Sequence, residues 1–290
     1  MKIALITSLP SLKENQRIKE EVEALGHQFQ LIDLSQVNFF IKKKNLTLPG
    51  LTDLNANLVI FRGMLNHLRL WSPLITSLRS RGIKVFDNNL SSHQYSINKI
   101  TDLVKLSLEK IPVPATAYTA NLEDYPSLAN KFGFPLVIKS TRAGKGVGVY
   151  KINTPADLKS FITQAKKDDK TGRGFIVQEF IPYLYDLRIL LIGSHAFAMR
   201  RIPSQGEFRA NFSLGGQVEP FSPRPETIKL AKRALRAVDL KIAGVDILIT
   251  KNNQEYVLET NHIPGFVGME KATGKNIGRA FIKEAINSSR

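Results

Sequence analysis

The stretch AGVDILITKNNQEYVLETNHIPGF, residues 243–266, predicts two apolar strands joined by a tight turn. Both runs are rich in Val, Ile and Leu, and the Asn252–Asn253 pair between them is typical of a hairpin. Asp246 lies six residues before this pair, and Glu259 lies six residues after it. With a turn of even length, these two carboxylates face each other across the hairpin.

Two carboxylates on neighbouring strands repel each other, and the repulsion grows as they are buried. A divalent cation removes this conflict. Replacing either carboxylate by its amide relieves the repulsion when the metal is absent, so this change is expected to leave the fold intact or slightly stabilised while it cripples turnover. Asn261 lies two residues after Glu259 and projects from the same face of the strand. Asp246, Glu259 and Asn261 therefore predict an all-oxygen site that suits Mg²⁺ or Mn²⁺ and not zinc. The alternative is that both carboxylates lie on a solvated sheet face.

The composition excludes several classes of protein. The 290 residues are 43% apolar and 23% charged, and none is cysteine. Disulfides, thiolate metal sites and thiol nucleophiles are therefore excluded. No stretch is long and apolar enough to span a membrane, and MKIALITSLP predicts a first strand and not a signal peptide. We expect a cytoplasmic protein without a membrane partner.

The net charge of +16 allows several anionic partners. Basic chains bind nucleic acids, anionic membranes, phosphates or acidic proteins. Here Lys and Arg are spread along the chain, with the densest cluster, IKKKN, at 41–45. Helix-turn-helix spacing, RNP-like motifs and zinc patterns are missing, so nucleic acid is not the favoured partner. A basic surface that attracts anionic small molecules or an acidic protein is the preferred interpretation.

The first part of the chain alternates strand and helix signals. KIALIT, HQFQLIDL, NLVIFRG and IKVFDN predict strands, with amphipathic helices before the second and fourth. This alternation predicts a parallel sheet with helices on its faces. The first turn, TSLPSLKEN, lacks the G-x-G-x-x-G pattern, so nothing local indicates a dinucleotide site.

A second candidate site lies in FPLVIKSTRAGKGVGVYKI, residues 134–152. Lys139 ends an apolar strand, and Gly144, Gly146 and Gly148 precede the returning strand. Glycines let backbone N–H groups approach phosphate oxygens, and the lysine adds a positive charge for the same oxygens. The alternative is an ordinary glycine-rich hairpin. If the loop does bind phosphates, we expect residues 142–148 to close over them.

Several stretches together resemble the ATP-grasp ligases, and in detail their RimK-type branch, which adds glutamate or similar amino acids to an acceptor carboxylate. The matching stretches are NK of INKITDLVKL, VIKSTRAGKGVGV, VQEFI, DLR, RRIPSQGEFRANFSLGG, AGVDIL and ETNHIPGFVGMEKATG. The resemblance implies a chain of α/β and α+β class. A Rossmann-like pre-ATP-grasp domain at 1–90 precedes a two-lobed ATP-grasp domain at 91–290. Its central lobe spans about 112–177 and its C-terminal lobe about 178–290.

The resemblance also implies a role for each matching residue. Asp246, Glu259 and Asn261 hold two Mg²⁺ ions, or Mn²⁺ in their place, that bridge the phosphates of ATP. The residues that bind ATP are Lys99, Lys139, Gly144, Gly146, Gly148, Gln178, Glu179, Phe180, Asp186, Arg209, Ala210 and Asn211. Among these, Arg209 is also the candidate catalytic residue, because its segment lies beside the reacting carboxylate.

The substrate side departs from the best-known relatives. His262 and Ile263 stand where the ribosomal-protein enzyme has N-A-S-P-G, so the acceptor pocket is expected to differ. Phe180 stands where many relatives have tyrosine. Arg201 and Arg62 are candidate ligands for a substrate carboxylate, because the arginine fork matches that group. For Arg62, a surface ion pair is the alternative.

These observations predict an ATP-dependent carboxylate–amine ligase that forms an amide through an acyl phosphate and releases ADP. The resemblance favours L-glutamate as the amine and the C-terminal carboxylate of a protein, peptide or cofactor as the acceptor. An acidic amino-group carrier protein is an alternative acceptor. A non-catalytic anion- or RNA-binding module on the same scaffold is an alternative from another class. The sequence leaves a homo-oligomer open.

Overall fold

The computed structural model describes residues 1–43, 45–48, 50–51, 53–64, 67–92, 97–141, 147–204, 206–210 and 217–289, without the side chains of 45 and 68–71. The strands are β1 (Lys2–Thr7), β2 (Gln28–Asp33), β3 (Phe40–Lys42), β4 (Asn45–Thr47), β5 (Leu58–Phe61), β6 (Lys84–Phe86), β7 (Thr116–Ala117), β8 (Leu136–Ser140), β9 (Val149–Ile152), β10 (Phe175–Glu179), β11 (Tyr185–Ile192), β12 (His195–Ile202), β13 (Gln217–Pro220), β14 (Ile242–Ile249) and β15 (Glu255–Asn261). The helices are α1 (Lys13–Ala24), α2 (Leu68–Ser80), α3 (Lys99–Leu108), α4 (Tyr125–Phe132), α5 (Pro155–Lys167), α6 (Pro225–Ala237), α7 (Val267–Thr273) and α8 (Ile277–Ser288).

The first sheet is parallel, as the alternation of strand and helix signals predicts. Its order is β2-β1-β5-β6, and each adjacent pair runs in the same direction. β1 and β5 are apolar and buried, because a parallel sheet with helices on its faces hides both sides of its central strands. The small hairpin β3–β4 lies between β2 and β5 along the chain.

The second sheet has a core of its own. Its order is β7-β10-β8-β9, with antiparallel pairs. Apolar residues of the sheet, such as Ile138 and Val177, pack with Tyr125 of α4 and Leu158 of α5. The return of the chain from β8 to β9 after the glycine-rich stretch matches the prediction.

The third sheet is antiparallel, with the order β13-β12-β11-β14-β15. β14 is buried along its whole length. It shares two apolar cores with the first sheet: Val245 lies in the same core as Ile6, and Ile242 lies in the same core as Leu5. The first and third sheets are therefore packed together, and residues that follow β15 lie against the first sheet.

The turn between β14 and β15 differs from the expected one. Thr250 and Gln254 are joined by a backbone hydrogen bond of 3.1 Å, which leaves a loop of three residues and not an even-length turn. Such a loop alone would place Asp246 opposite Leu258. A bulge between Asp246 and Ile247 shifts the register and brings Asp246 opposite Glu259. The predicted pairing is confirmed, although the predicted turn is wrong.

Among the described residues, no helix is long and apolar enough to cross a bilayer.

Candidate functional site

A cleft that opens to solvent lies between the second and third sheets, with about 790 Å³ of empty space including its open mouth. Most of the predicted site residues meet in it. Those that line it are Lys99, Lys139, Gln178, Glu179, Phe180, Asp186, Arg201, Arg209, Ala210, Asp246 and Glu259.

The floor of the cleft is a network of buried charges on the third sheet. Arg188 binds Asp246 with two hydrogen bonds, from Nε to Oδ1 at 2.7 Å and from Nη2 to Oδ2 at 2.6 Å. Arg201 binds Asp186 in the same bidentate way, and its Nη2 also lies 2.8 Å from Asp246 Oδ2. Asp246 is only 2% exposed and Asp186 only 5%. Two arginines therefore offset the charge of two buried carboxylates, in the bidentate geometry that favours such pairs.

The two aspartates of this floor respond differently to burial. Burial acts to raise the pKa of Asp246, but the adjacent Arg188 and Arg201 outweigh it and hold that pKa well below its usual range. Burial raises the pKa of Asp186 to about 6 in spite of its ion pair with Arg201. Asp246 is therefore a carboxylate throughout the physiological pH range, as a cation ligand has to be.

Glu259 and Asn261 lie at the edge of this network. Glu259 faces Asp246 across the ladder, its side chain is 35% exposed, and its Oε1 lies 4.0 Å from Arg188 Nη2. The Oδ1 atom of Asn261 accepts a hydrogen bond of 3.2 Å from the backbone of Ile263, which leaves a second lone pair on that oxygen. Among the described residues, no three His, Cys, Asp or Glu side chains form a cluster that could hold a metal ion. The predicted set has only two carboxylates and an amide, and these oxygen donors suit Mg²⁺ when phosphate oxygens and water complete the coordination.

Lys139 projects into the cleft from the second sheet, opposite the floor. Its Nζ donates to Gln178 Oε1 at 2.6 Å, and Gln178 Nε2 donates to Thr116 Oγ1 at 2.8 Å. Burial lowers the pKa of Lys139 to about 8, although the charges of Glu259 and Asp246 act to raise it. The amide of Gln178 thus holds a desolvated ammonium group in place without neutralising it.

Aromatic side chains form the rim of the cleft. Lys151 Nζ lies 4.0 Å from the centroid of the Phe180 ring, and Phe180 makes an edge contact with Phe208 at 6.4 Å. Arg209 lies over Phe208 and is paired with Glu207, with Nη2 and Oε2 2.8 Å apart. The side chain of Glu179 accepts a hydrogen bond of 2.7 Å from the backbone of Ala115. The contact between Phe180 and Phe208 connects the end of β10 with the loop after β12 at the mouth of the cleft.

Some predicted residues lie elsewhere. Arg62 does not line the cleft. Because it is only 4% exposed, the surface ion pair considered for it is wrong. Asn261 borders the cleft without lining it, and Gly148 lies just before β9. Gly144, Gly146, Asn211 and most of loop 142–148 lie outside the described residues.

Two residues of the cleft region were not among the predicted ones. Arg188 lies two residues after Asp186 on the same strand, so both side chains project from one face of an otherwise apolar run. That spacing could have indicated its role. Lys151 gave no such signal, because its contact with Phe180 depends on how the second sheet packs.

Comparisons with known proteins agree with this arrangement. The profile of the RimK-like ATP-grasp domain matches residues 96–285. A "Probable alpha-L-glutamate ligase 1" of Hahella chejuensis is 31% identical over 96% of this chain and 92% of its own length. A "Probable alpha-L-glutamate ligase" of Trichodesmium erythraeum is 29% identical over 98% of this chain and 95% of its own length. The structure of the ATP-grasp ligase PsnB with a minimal precursor superposes with a TM-score of 0.75, at 20% identity, over 98% of both chains. Another PsnB structure also contains Mg and ADP.

Proposed function

Because the chain belongs to the RimK-like ATP-grasp family, we propose that it is an ATP-dependent ligase that joins an amine to a carboxylate. The observation that carries this proposal is the cleft itself. Asp246 and Glu259 face each other at its floor, and the desolvated Lys139 projects from the opposite sheet. Such a pairing suits a triphosphate whose charge is shared between a cation and a lysine.

We propose that Asp246, Glu259 and Asn261 hold the divalent cations, with two Mg²⁺ ions and Mn²⁺ as a substitute. Bound there, the metal supplies positive charge that offsets the negative charge of the phosphates. The contribution of the chain is to keep Asp246 ionised and fixed. Arg188 does this through two hydrogen bonds, and Arg201 through a single contact of 2.8 Å. Lys139 adds a second positive charge from the other side of the cleft.

The reaction then needs no covalent intermediate on the enzyme. A carboxylate oxygen of the acceptor forms a bond to the γ-phosphorus of ATP as the bond to ADP breaks, which gives an acyl phosphate. The amine nitrogen next attacks the acyl carbon, loses a proton and expels phosphate, which leaves the amide. Arg209 lies at the mouth of the cleft beside Glu207, where it can orient the reacting carboxylate. We propose that the loop around 142–148 excludes water, because an acyl phosphate hydrolyses when water reaches it.

We propose L-glutamate as the amine and the C-terminal carboxylate of a protein, peptide or cofactor as the acceptor. The names of the relatives from Hahella and Trichodesmium support glutamate. The precursor peptide bound to PsnB in a further structure supports a peptide acceptor. The net charge of +16 favours an acidic acceptor of any of these kinds.

Mass spectrometry of reactions with ATP and Mg²⁺ tests this function. Each amino acid is offered alone and with acidic peptides, proteins and cofactors, and ADP and phosphate are measured in parallel. The proposal expects a product heavier by one or more glutamate residues, with one ADP per amide, and much slower product formation by a Glu259→Gln variant. Tight, salt-dependent RNA binding without nucleotide binding would instead favour the non-catalytic alternative.

A further inference from the structure

The end of β15 and the residues that follow it are held by polar groups from three distant parts of the chain. This segment, Thr260–Pro264, begins between the two predicted cation ligands Glu259 and Asn261. We propose that Arg62, Asn88 and Asp102 are positioning residues that clamp it and thereby fix Glu259 and Asn261 for cation binding. The inference rests on the proposed function, and it assigns the first sheet a part in cation binding.

Asp102 of α3 holds the back of β15. Its Oδ2 accepts a hydrogen bond from Thr260 Oγ1 at 2.7 Å and lies 2.7 Å from His262 Nε2. Thr260 projects from the face of β15 opposite to Glu259 and Asn261, because side chains alternate along a strand, and His262 reaches the same carboxylate from just beyond the strand. One carboxylate behind the strand therefore restrains both residues that flank Asn261.

Arg62 and Asn88 hold the main chain of the same segment from the side of the first sheet. Asn88 Nδ2 donates to the carbonyl of His262 at 2.9 Å. The Oδ1 atom of Asn88 accepts from the backbone of Ile242, at the start of β14, at 2.7 Å. Asn88 thus links β14, which carries Asp246, to the end of β15, which carries Asn261.

Arg62 is buried, and among the described residues no carboxylate forms a salt bridge with it, although the charge of Glu14 acts to raise its pKa. Its Nη2 donates to the carbonyl of Pro264 at 2.6 Å, and its Nε has no hydrogen-bond partner within the described part of the chain. Its guanidinium lies 5.5 Å from the Phe266 centroid and 5.6 Å from that of Phe281. Burying a guanidinium with so few partners is unfavourable for folding, so stability does not explain why Arg62 is there. Its contact with the Pro264 carbonyl favours a role in positioning the segment. Pro264 in turn approaches Gly244 so closely that a Cβ added to Gly244 would lie 3.2 Å from Pro264 Cβ.

The test compares cation affinity with stability in matched variants of the full chain. Mn²⁺ affinity is measured in the presence of ADP by the spin-resonance signal of unbound Mn²⁺, and stability by thermal melting. Arg62→Met and Asp102→Asn should each weaken Mn²⁺ binding by roughly 10- to 100-fold, the range found when partners of metal ligands are removed. Arg62→Met should melt close to the wild type, because it fills the same space between two rings and removes a buried charge. Arg62→Lys keeps one donor and should recover part of the affinity.

The control is Arg17→Met, which removes the contact of 2.8 Å between Arg17 of α1 and Glu270 of α7. It loosens the packing of the first sheet against the rest of the chain without touching Thr260–Pro264. It should lower the melting temperature and leave Mn²⁺ affinity unchanged. Wild-type affinity in both Arg62→Met and Asp102→Asn would overturn the clamp and leave the proposed function intact. If the Glu259→Gln variant bound Mn²⁺ as tightly as the wild type does, the proposed cation site would be overturned, and the clamp with it.

Discussion

The floor and the opposite wall of the cleft handle buried charge in contrasting ways. On the floor, Asp246 and Asp186 are matched by Arg188 and Arg201 through bidentate hydrogen bonds. On the wall, Lys139 has a neutral amide as its hydrogen-bond partner, and burial lowers its pKa. The buried charges of the floor are therefore neutralised before any substrate binds, whereas the charge of Lys139 on the wall is neutralised when an anion binds. This difference predicts that changes to the floor affect folding and activity, while changes to the wall affect nucleotide binding.

The largest effect is expected from Asp246→Asn. The structure reverses the expectation of an intact or slightly stabilised fold, because it places two arginines against this carboxylate. Its removal leaves two buried cations with one carboxylate between them, a loss of about 3–5 kcal/mol by comparison with other broken buried pairs. Chemical denaturation should show this loss together with abolished turnover. Unchanged stability would contradict the balance described for the floor.

Glu259→Gln should lower activity without the loss of stability expected for Asp246→Asn. Its side chain is partly exposed and lies 4.0 Å from Arg188, so it contributes little to the folded state. As the proposed cation ligand that faces the cleft, its replacement should lower kcat by about 100-fold and raise the Mg²⁺ concentration needed for half-maximal rate. Assays across a Mg²⁺ titration, with melting curves in parallel, measure both quantities. Normal activity in this variant would remove Glu259 from the site.

Lys139 should make nucleotide binding depend on pH. Burial lowers its pKa from 10.5 to about 8, and a bound triphosphate raises it again, so binding at pH 8.5–9.5 takes up a proton. Affinity for ADP should therefore fall as the pH rises above about 8. In the absence of nucleotide, the folded chain loses this proton before the unfolded chain, so the stability contribution of this group rises between about pH 8 and 10.5.

Calorimetry at pH 9 in buffers with different ionisation enthalpies measures this proton uptake. Lys139→Met should bind ADP more weakly and without proton uptake. Lys159→Met, which changes an exposed lysine of α5, serves as the control and should behave like the wild type. Equal proton uptake in the wild type and in Lys139→Met would assign the coupling to another group.

The smallest effect is expected from Lys151→Met at the rim. The contact between Lys151 Nζ and the Phe180 ring is partly exposed, and such contacts contribute about 0.5–1 kcal/mol. The family resemblance implies that Phe180 contacts the nucleotide, so ADP affinity should change by about two- to fivefold. Fluorescence titration with ADP and with inorganic triphosphate, which lacks the base, separates an effect at the rim from one at the floor.

Patterns within single segments predicted much of the fold. The strand and helix alternation of the first sheet, the return from β8 to β9 and the family resemblance are confirmed. β7 and β13 were missed because strands of two and four residues carry little periodicity. α8 was also missed, although its apolar residues at 277, 281, 282 and 285 have helical spacing.

The site was predicted less completely, because several of its contacts depend on distant parts of the chain. The pairing of Asp246 with Glu259 follows from a local hairpin, yet the bulge that restores it was not foreseen. The arginines that neutralise Asp246 come from β11 and β12, and hydrophobic periodicity cannot show which strands become neighbours. The burial of Arg62 likewise depends on packing between the first and third sheets.

The transfer of ¹⁸O tests the proposed chemistry most directly. The acceptor found in the mass-spectrometric screen is labelled with ¹⁸O in both oxygens of its reacting carboxylate and incubated with ATP, Mg²⁺ and glutamate. If the carboxylate attacks the γ-phosphorus and the amine then expels phosphate, each released phosphate carries one ¹⁸O atom and each amide retains the other. Phosphate that contains no ¹⁸O while amide accumulates would contradict the acyl phosphate and, with it, the mechanism proposed for this cleft.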